Sequence, residues 1–309
     1  MKLVAIVGPT ATGKSALGLT LAERLGGEIV ACDSTAVYRG VDIGTDKVPV
    51  AGQRGIPHHM VDVAEPFETY SAARYATAAA AVIRDVACRG RVPILVGGSG
   101  LYSRALVRGL FPGPARDEAL RGRLQRVALR RGVMALHRWL ARVDPASAAR
   151  ILPRDLKRIV RALEVYVLTG RPLTAHFADT RSPLAGWDVL PMAVTLPRAD
   201  LSVRVLRRVD DQFARGVVAE VRRLLDAGLP PSAHALSGLV YRQVVEMLGG
   251  VRDEAATREL VVRENMRYAK RQVTWFKKEP GVRWIDGPGE AAAVQEKVLA
   301  VVQPWLVGT

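Results

Sequence analysis

Gly8-Pro9-Thr10-Ala11-Thr12-Gly13-Lys14-Ser15 follows directly on the apolar run Leu3-Val4-Ala5-Ile6-Val7. The spacing Gly-x-x-x-x-Gly-Lys-Ser is that of a Walker A phosphate loop, and its setting matches as well as its letters. A short buried strand precedes it. An amphipathic helix follows, carrying Ala16, Leu17, Leu19, Ala22 and Leu25 and stopping at Gly26-Gly27. The two loop glycines let the backbone curl so that successive N–H groups converge on an anion at the helix N-terminus. Lys14 adds a mobile positive charge, and the Ser15 hydroxyl suits a magnesium ion (Mg2+). Gly8 to Ser15 therefore read as a site for a diphosphate or nucleotide. The loop leaves the chemistry open, because such loops serve nucleotide hydrolases, small-molecule kinases and enzymes that hold a diphosphate only to expel it.

Outward from the loop, strand and helix alternate. Residues 28–32 and 59–63 read as short strands. An Ala-rich helix runs from about Ser71, a plausible N-cap, to Cys88 and is closed by Gly90. Residues 92–96 are a buried strand ending in Gly97-Gly98-Ser99-Gly100. This alternation predicts an α/β fold: a P-loop NTPase-like parallel sheet flanked by helices. Ligands of such sheets gather at the carboxyl ends of the strands. The phosphate loop, Asp33-Ser34 and Gly97-Gly98-Ser99 all fall at such ends and are expected to surround one pocket. Composition changes near Phe111-Pro112-Gly113-Pro114, where the chain becomes helical and Arg-rich, and strand-like runs return only at residues 187–194. Residues 113–183 are thus expected to form an α-helical insertion domain within a core of residues 1–112 and 184–309. From Leu201 onward the core reads as helical, ending in the segment 263–279.

Size and charge narrow the partner. A chain of 309 residues, 49% of them hydrophobic, can bury a large core. Its apolar runs are strand-length, well short of the ~18 residues that suggest a membrane span. Met1-Lys2-Leu3 enters the first strand directly, which leaves no room for a secretory signal. Cys32 and Cys88 are the only cysteines, too few for a disulfide framework, and read as small buried hydrophobes in a reducing cytoplasm. A net charge of +15 points to a polyanionic partner, with nucleic acid favoured over an Arg-rich genome or solvated helix faces.

Asp33 ends the second strand, where a carboxylate can face whatever lies beyond the phosphates. A general base, a capping Asp and a water-mediated magnesium ligand fit that position equally well. Ser34 beside it is a cap or a substrate contact. Arg263, Arg267, Lys270 and Arg271 fall at helical spacing on one face, and Lys277 and Lys278 extend the patch. Tyr268, Trp275 and Phe276 interleave, a pattern that suits a nucleic-acid backbone with stacked bases or, equally, aromatics turned into the core. Another helix carries Arg204, Arg207, Arg208 and Arg215. His58 and His59 are adjacent on a strand, point to opposite faces and cannot jointly chelate a metal.

In order along the chain, several blocks resemble the tRNA dimethylallyltransferases, also called isopentenyl-diphosphate tRNA transferases. They are Gly8 to Ser15, Asp33-Ser34-Thr35-Ala36-Val37-Tyr38-Arg39-Gly40-Val41-Asp42-Ile43-Gly44-Thr45, Ile56-Pro57-His58-His59-Met60-Val61-Asp62 and Tyr70-Ser71-Ala72-Ala73. Leu95-Val96-Gly97-Gly98-Ser99-Gly100-Leu101-Tyr102 follows, with Ser99 in place of the usual Thr. Residues 156–166 and 268–276 complete a set that spans nearly the whole chain. The resemblance implies transfer of a dimethylallyl group from its diphosphate to N6 of the adenine at position 37, beside the anticodon of tRNA. It implies catalytic roles for Asp33 as base, Thr10 in the phosphate loop and Arg204 on the diphosphate, with magnesium at Ser15. It further implies tRNA contacts at Asp33, Ser34, Thr35, Ala36, Ser99, Arg121, Lys157, Arg158, Arg161, Tyr241, Arg242, Lys270 and Arg271, with the insertion domain on the anticodon arm. A cytoplasmic monomer, away from membranes, is expected.

Two departures touch expected contacts. Ala36 stands where family members often carry Gln. Gly238-Leu239-Val240-Tyr241-Arg242 replaces the usual Ala-Ile-Gly-Tyr-Lys, so that Val240 stands for Gly in a segment near tRNA. The rival readings are a small-molecule or nucleotide kinase, a prenyltransferase acting on free AMP or ATP, and a non-catalytic RNA-binding protein. The first two leave the basic excess without a purpose, and the third leaves Lys14, Ser15 and Asp33 without one.

Overall fold

A computed structural model describes residues 1–308, which fall into two compact units. One holds Met1–Val107 and the chain from Pro183 onward, and the other is Arg108–Ser182. The first unit opens with β1 (Lys2–Val7), α1 (Lys14–Leu25), β2 (Gly27–Ala31), β3 (His58–His59), α2 (Ala72–Cys88), β4 (Val92–Val96) and α3 (Gly100–Val107). The second unit is helical: α4 (Glu118–Arg131), α5 (Val133–Val143), α6 (Pro145–Arg150) and α7 (Leu156–Thr169). The chain then returns to the first with β5 (Asp188–Thr195), α8 (Arg198–Ala214), α9 (Val217–Asp226), α10 (Leu239–Leu248), α11 (Glu254–Phe276), β6 (Arg283–Asp286) and α12 (Ala292–Val307).

The six strands form one sheet in the order β3-β2-β4-β1-β5-β6, every pairing parallel. Central strand β1 is buried from Leu3 to Val7, as a strand covered on both faces must be. On one face α1 and α12 pack Leu17, Leu21, Val294, Val298 and Val302 against Val4, Ile6, Ile94 and Met192. Each fully buried side chain of this kind contributes roughly 1.5–3 kcal/mol. A separate cluster joins Phe276 of α11 to Val7 and Ala193. α1 ends as its sequence requires, with Gly26 in the left-handed region and its N–H on the Ala22 carbonyl.

Three expectations are corrected here. The strand expected over residues 59–63 is only His58–His59, because Met60 and Asp62 take left-handed backbone (φ 62° and 54°) and break the ladder. β6 and α12 lie beyond the segment where the sequence reading ended. β6 is an edge strand with Ile285 as its one buried residue, so its sequence carries almost no alternation. Cys32 is buried as expected, but Cys88 is exposed. It falls off the Tyr75, Ala79, Ile83, Val86 stripe that α2 turns inward. Among the described residues no helix is long and apolar enough to cross a membrane.

The helical unit has its own core of Leu120, Leu124, Leu136, Leu140, Ile159 and Leu163. Inside it Glu164 is fully buried and accepts hydrogen bonds from Arg121 Nε (2.7 Å), Arg161 Nη1 (2.6 Å) and the Asp117 amide (2.9 Å). Burial alone would raise this carboxyl, but the Arg121 and Arg161 hydrogen bonds outweigh it and hold it at about 2.

Candidate active site

The phosphate loop links β1 to α1 with a backbone that only certain residues tolerate. Gly8 has φ 122°, and a Cβ there would sit 2.7 Å from the Val194 carbonyl oxygen of the neighbouring strand. Gly13 has φ 84°, and a Cβ there would meet Glu290 Oε2 at 2.0 Å and the Gly289 nitrogen at 2.7 Å. Ala11 also lies in the left-handed region, at φ 60°, although it carries a Cβ. That conformation costs an L-residue roughly 1–2 kcal/mol and persists only where the surroundings hold it. Thr12 Oγ1 closes the loop by donating to the Pro9 carbonyl at 3.0 Å.

Lys14 folds back so that Nζ donates to Pro9 O at 2.5 Å. Burial, reinforced by the charge of Arg208 and opposed by Asp33, lowers its ammonium from 10.5 to about 7. A cation held beside another cation and short of solvent suits an anion. Arg208 of α8 donates from Nη1 to Thr10 Oγ1 at 2.5 Å and pairs with Asp46 at 3.2 Å.

Asp33 follows β2 and serves its own turn. Oδ1 accepts from the Thr35 amide (2.8 Å), the Thr35 hydroxyl (2.7 Å) and the Ala36 amide (3.3 Å). All three bonds fall on Oδ1, so the carboxylate is fixed in place with Oδ2 outside the turn. Ser99 accepts from the Ser34 amide at 3.0 Å and ties the β4 end to this turn. Gln272 of α11 bridges the two loops, accepting from the Thr10 amide at 2.9 Å and donating to the Gly98 carbonyl at 2.9 Å.

These groups line a single cavity of about 170 Å³. Thr10, Lys14 and Ser15 come from the phosphate loop, Asp33 and Ala36 from the β2 turn, Gly97 and Gly98 from β4, and Arg208, Tyr268 and Gln272 from the C-terminal helices. Thr45, Asp46 and Lys47 close another side. That wall is anchored by buried Glu220, which accepts from the amides of Asp42 (3.0 Å) and Ile43 (2.9 Å) and from the Tyr241 hydroxyl (2.7 Å). A phosphate loop, a carboxylate and apolar surface from Ile29, Val48, Val61 and Val96 thus share one chamber. The Ser15 hydroxyl suits a hard cation such as magnesium, which takes few protein ligands and completes its shell with phosphate and water.

A family model described as IPP transferase matches residues 36–279, well over half of the chain. The chain belongs to the IPP transferase family. It is 45% identical over 287 residues to a tRNA dimethylallyltransferase of Geobacter sulfurreducens, covering 93% of this chain and 92% of that one. The full-length tRNA isopentenylpyrophosphate transferase of Bacillus halodurans has the same fold at a TM-score of 0.72 and 35% identity, covering 99% of this chain and 96% of that one. A eukaryotic dimethylallyltransferase described as acting on tRNA reaches a TM-score of 0.79 at 25% identity, over 99% of this chain and 79% of that one.

In this IPP transferase family member the expected site residues divide by location. Thr10, Lys14, Ser15, Asp33 and Ala36 line the cavity together, with Ser34, Thr35 and Ser99 in the turn around Asp33. Arg204 does not line it. Its Nε donates to the Ala11 carbonyl at 2.7 Å and Nη1 meets Glu290 at 2.6 Å, and the cavity arginine is Arg208 one turn on. The helical repeat placed both on one face and could not choose between them. Tyr241 is corrected from a tRNA contact to a core residue, fully buried on Glu220. Arg121 and Arg161 both pair with Glu164 within the helical unit. Lys157, Arg158, Arg242, Lys270 and Arg271 are exposed.

The aromatics of α11 turn inward, as one of the two open readings had it. Phe276 joins the core, Trp275 lies under the Arg104 guanidinium at 4.2 Å, and Tyr268 faces the cavity. Burial, with the charge of Asp33, raises the Tyr268 phenol to about 12 and keeps it protonated. His59 donates to the Glu28 carboxylate (2.7 Å) and His58 to the Ile56 carbonyl (2.8 Å). Val240 is buried in α10. Gln272, Glu220 and Glu290 were missed as site-building residues. Gln272 sits within the block 268–276, and that was its only sequence signal.

Proposed function

We propose that the protein transfers a dimethylallyl group from dimethylallyl diphosphate to N6 of adenine 37 in tRNA and releases diphosphate. One observation carries this reading: Asp33 and the phosphate-loop groups Thr10, Lys14 and Ser15 line the same cavity. Alkyl transfer to an exocyclic amine needs the loop and a proton acceptor facing it. A small-molecule kinase can use the same pair, and the family membership and the net charge of +15 favour a tRNA acceptor over a small one.

The chemistry follows from the residues. The bond between the allylic carbon and the diphosphate oxygen breaks, and its electron pair leaves with the diphosphate. Lys14, Arg208 and the loop amides stabilise that growing charge. N6 of adenine is a weak nucleophile because its lone pair is delocalised into the ring. Asp33, fixed through Oδ1, takes the N6 proton as the new C–N bond forms and leaves its other oxygen for the task. Ser15 would hold a magnesium ion, which would supply further charge neutralisation on the diphosphate. The target base must leave the anticodon stack to enter the chamber, at a cost of a few kcal/mol.

That cost is offset by phosphate contacts along exposed Arg263, Arg267, Lys270 and Arg271 of α11 and along Lys157 and Arg158 of the helical unit. The helical unit receives the anticodon arm. The enzyme works as a monomer in the cytoplasm. Incubation with dimethylallyl diphosphate, magnesium and unmodified tRNA is expected to release diphosphate only when tRNA is present. Consumption of ATP with a small acceptor, and no alkylated adenine in the tRNA, would overturn the assignment.

A further inference from the structure

The phosphate loop is held from behind as well as closed in front. Arg204 Nε donates to the Ala11 carbonyl at 2.7 Å, and its Nη1 meets Glu290 Oε1 at 2.6 Å. The Gly289 amide donates to the Thr12 carbonyl at 2.9 Å. Neither Arg204 nor Glu290 lines the cavity. In a planar trans peptide the C=O and the next N–H point in opposite directions. Fixing the Ala11 carbonyl from one side therefore aims the Thr12 N–H to the other, and fixing the Thr12 carbonyl aims the Gly13 N–H likewise. These carbonyl contacts fix two successive peptides of an anion-binding loop. They act where the backbone resists, because Ala11 is left-handed despite its Cβ (φ 60°).

We infer that Glu290 is a positioning residue for diphosphate binding, acting through Arg204 to hold the Ala11–Thr12 peptide with its amide toward the anion. The inference rests on the reading of the loop as a diphosphate site. It gives the segment between β6 and α12 a part in ligand binding although none of its side chains reaches the chamber. The alternative is that Glu290, a carboxylate close to an anion site, only repels the ligand and is neutralised by Arg204. The two readings predict opposite signs.

The test is calorimetric titration of the full-length protein with inorganic pyrophosphate and magnesium, with a melting curve for each variant. Glu290→Ala is expected to weaken pyrophosphate binding five- to tenfold, and Glu290→Gln, which keeps an acceptor for Arg204, less than threefold. Glycine adopts the left-handed region without penalty. In an Ala11→Gly background Glu290→Ala is therefore expected to cost less than twofold. Unchanged or tighter binding by Glu290→Ala would overturn the inference, as would the same loss in both backgrounds. A wild-type protein that binds no pyrophosphate would overturn the diphosphate reading itself, and the brace with it. A wild-type protein that binds but ignores Glu290 would overturn only the brace.

Discussion

Lys14 and Glu164 are both charges withdrawn from water, and their surroundings treat them in opposite ways. Glu164, in the core of the helical unit, collects two guanidiniums and an amide. Lys14, in the phosphate loop, has one carbonyl 2.5 Å away and a second cation, Arg208, as its strongest electrostatic neighbour. One charge is satisfied and its carboxyl is held at about 2; the other is left short and its ammonium falls to about 7. A saturated buried charge fixes structure, and an unsaturated one stores an unfavourable interaction that a ligand relieves. Arg121 and Arg161 have that structural task in the helical unit, whereas Lys14 and Arg208 line the cavity.

The comparison is most exposed to Asp33→Ala, which removes the proposed proton acceptor on the Lys14 side. Turnover is expected to fall about a thousandfold, with pyrophosphate affinity within a few-fold of wild type. Single-turnover tRNA alkylation and calorimetry separate the two, and an equal loss of both would make Asp33 a binding residue.

On the other side, Glu164→Ala strands two arginines. Breaking a buried pair of this kind costs about 3 kcal/mol, read from denaturant midpoints. The folded carboxyl lies at about 2 against 4.5 when unperturbed, so its stabilisation is complete above 4.5 and is lost as the pH falls toward 2. The variant is expected to flatten the acid stability profile in that window. A profile unchanged by Glu164→Ala would remove the contrast with Lys14.

Lys14 gives a smaller effect in the opposite pH range. Its ligand-free value of about 7 means that above pH 7 a diphosphate must draw a proton into the site. Affinity for dimethylallyl diphosphate is therefore expected to fall up to about tenfold per pH unit between pH 7 and 9, with proton uptake visible in buffers of different ionisation heat. Lys14→Met should lose that slope. The mildest change is at the exposed cations: Lys270→Ala or Arg271→Ala is expected to lower the salt slope of tRNA binding by about one, with little effect on pyrophosphate. A slope unchanged by both would move the tRNA backbone off α11.

What the sequence reached by itself was local. The loop Gly8–Ser15 is contiguous, its glycines are dictated by backbone sterics, and its flanking strand and helix announce themselves by period. β4 and α2 were legible for the same reason, each having a strong pattern and a clear stop. Blocks spread along the chain carried the family, and strand ends of a parallel sheet placed Asp33 beside the phosphate loop. Tertiary structure alone decided which arginine of α8 enters the chamber, because Arg204 and Arg208 share a helix face and differ only in what stands opposite. It alone revealed that Glu164 claims Arg121 and Arg161, that Tyr241 supports a wall from within, and that residues 283–307 return to support the loop at the other end of the chain. Those outcomes depend on contacts between residues far apart in sequence, where neither period nor propensity carries a signal.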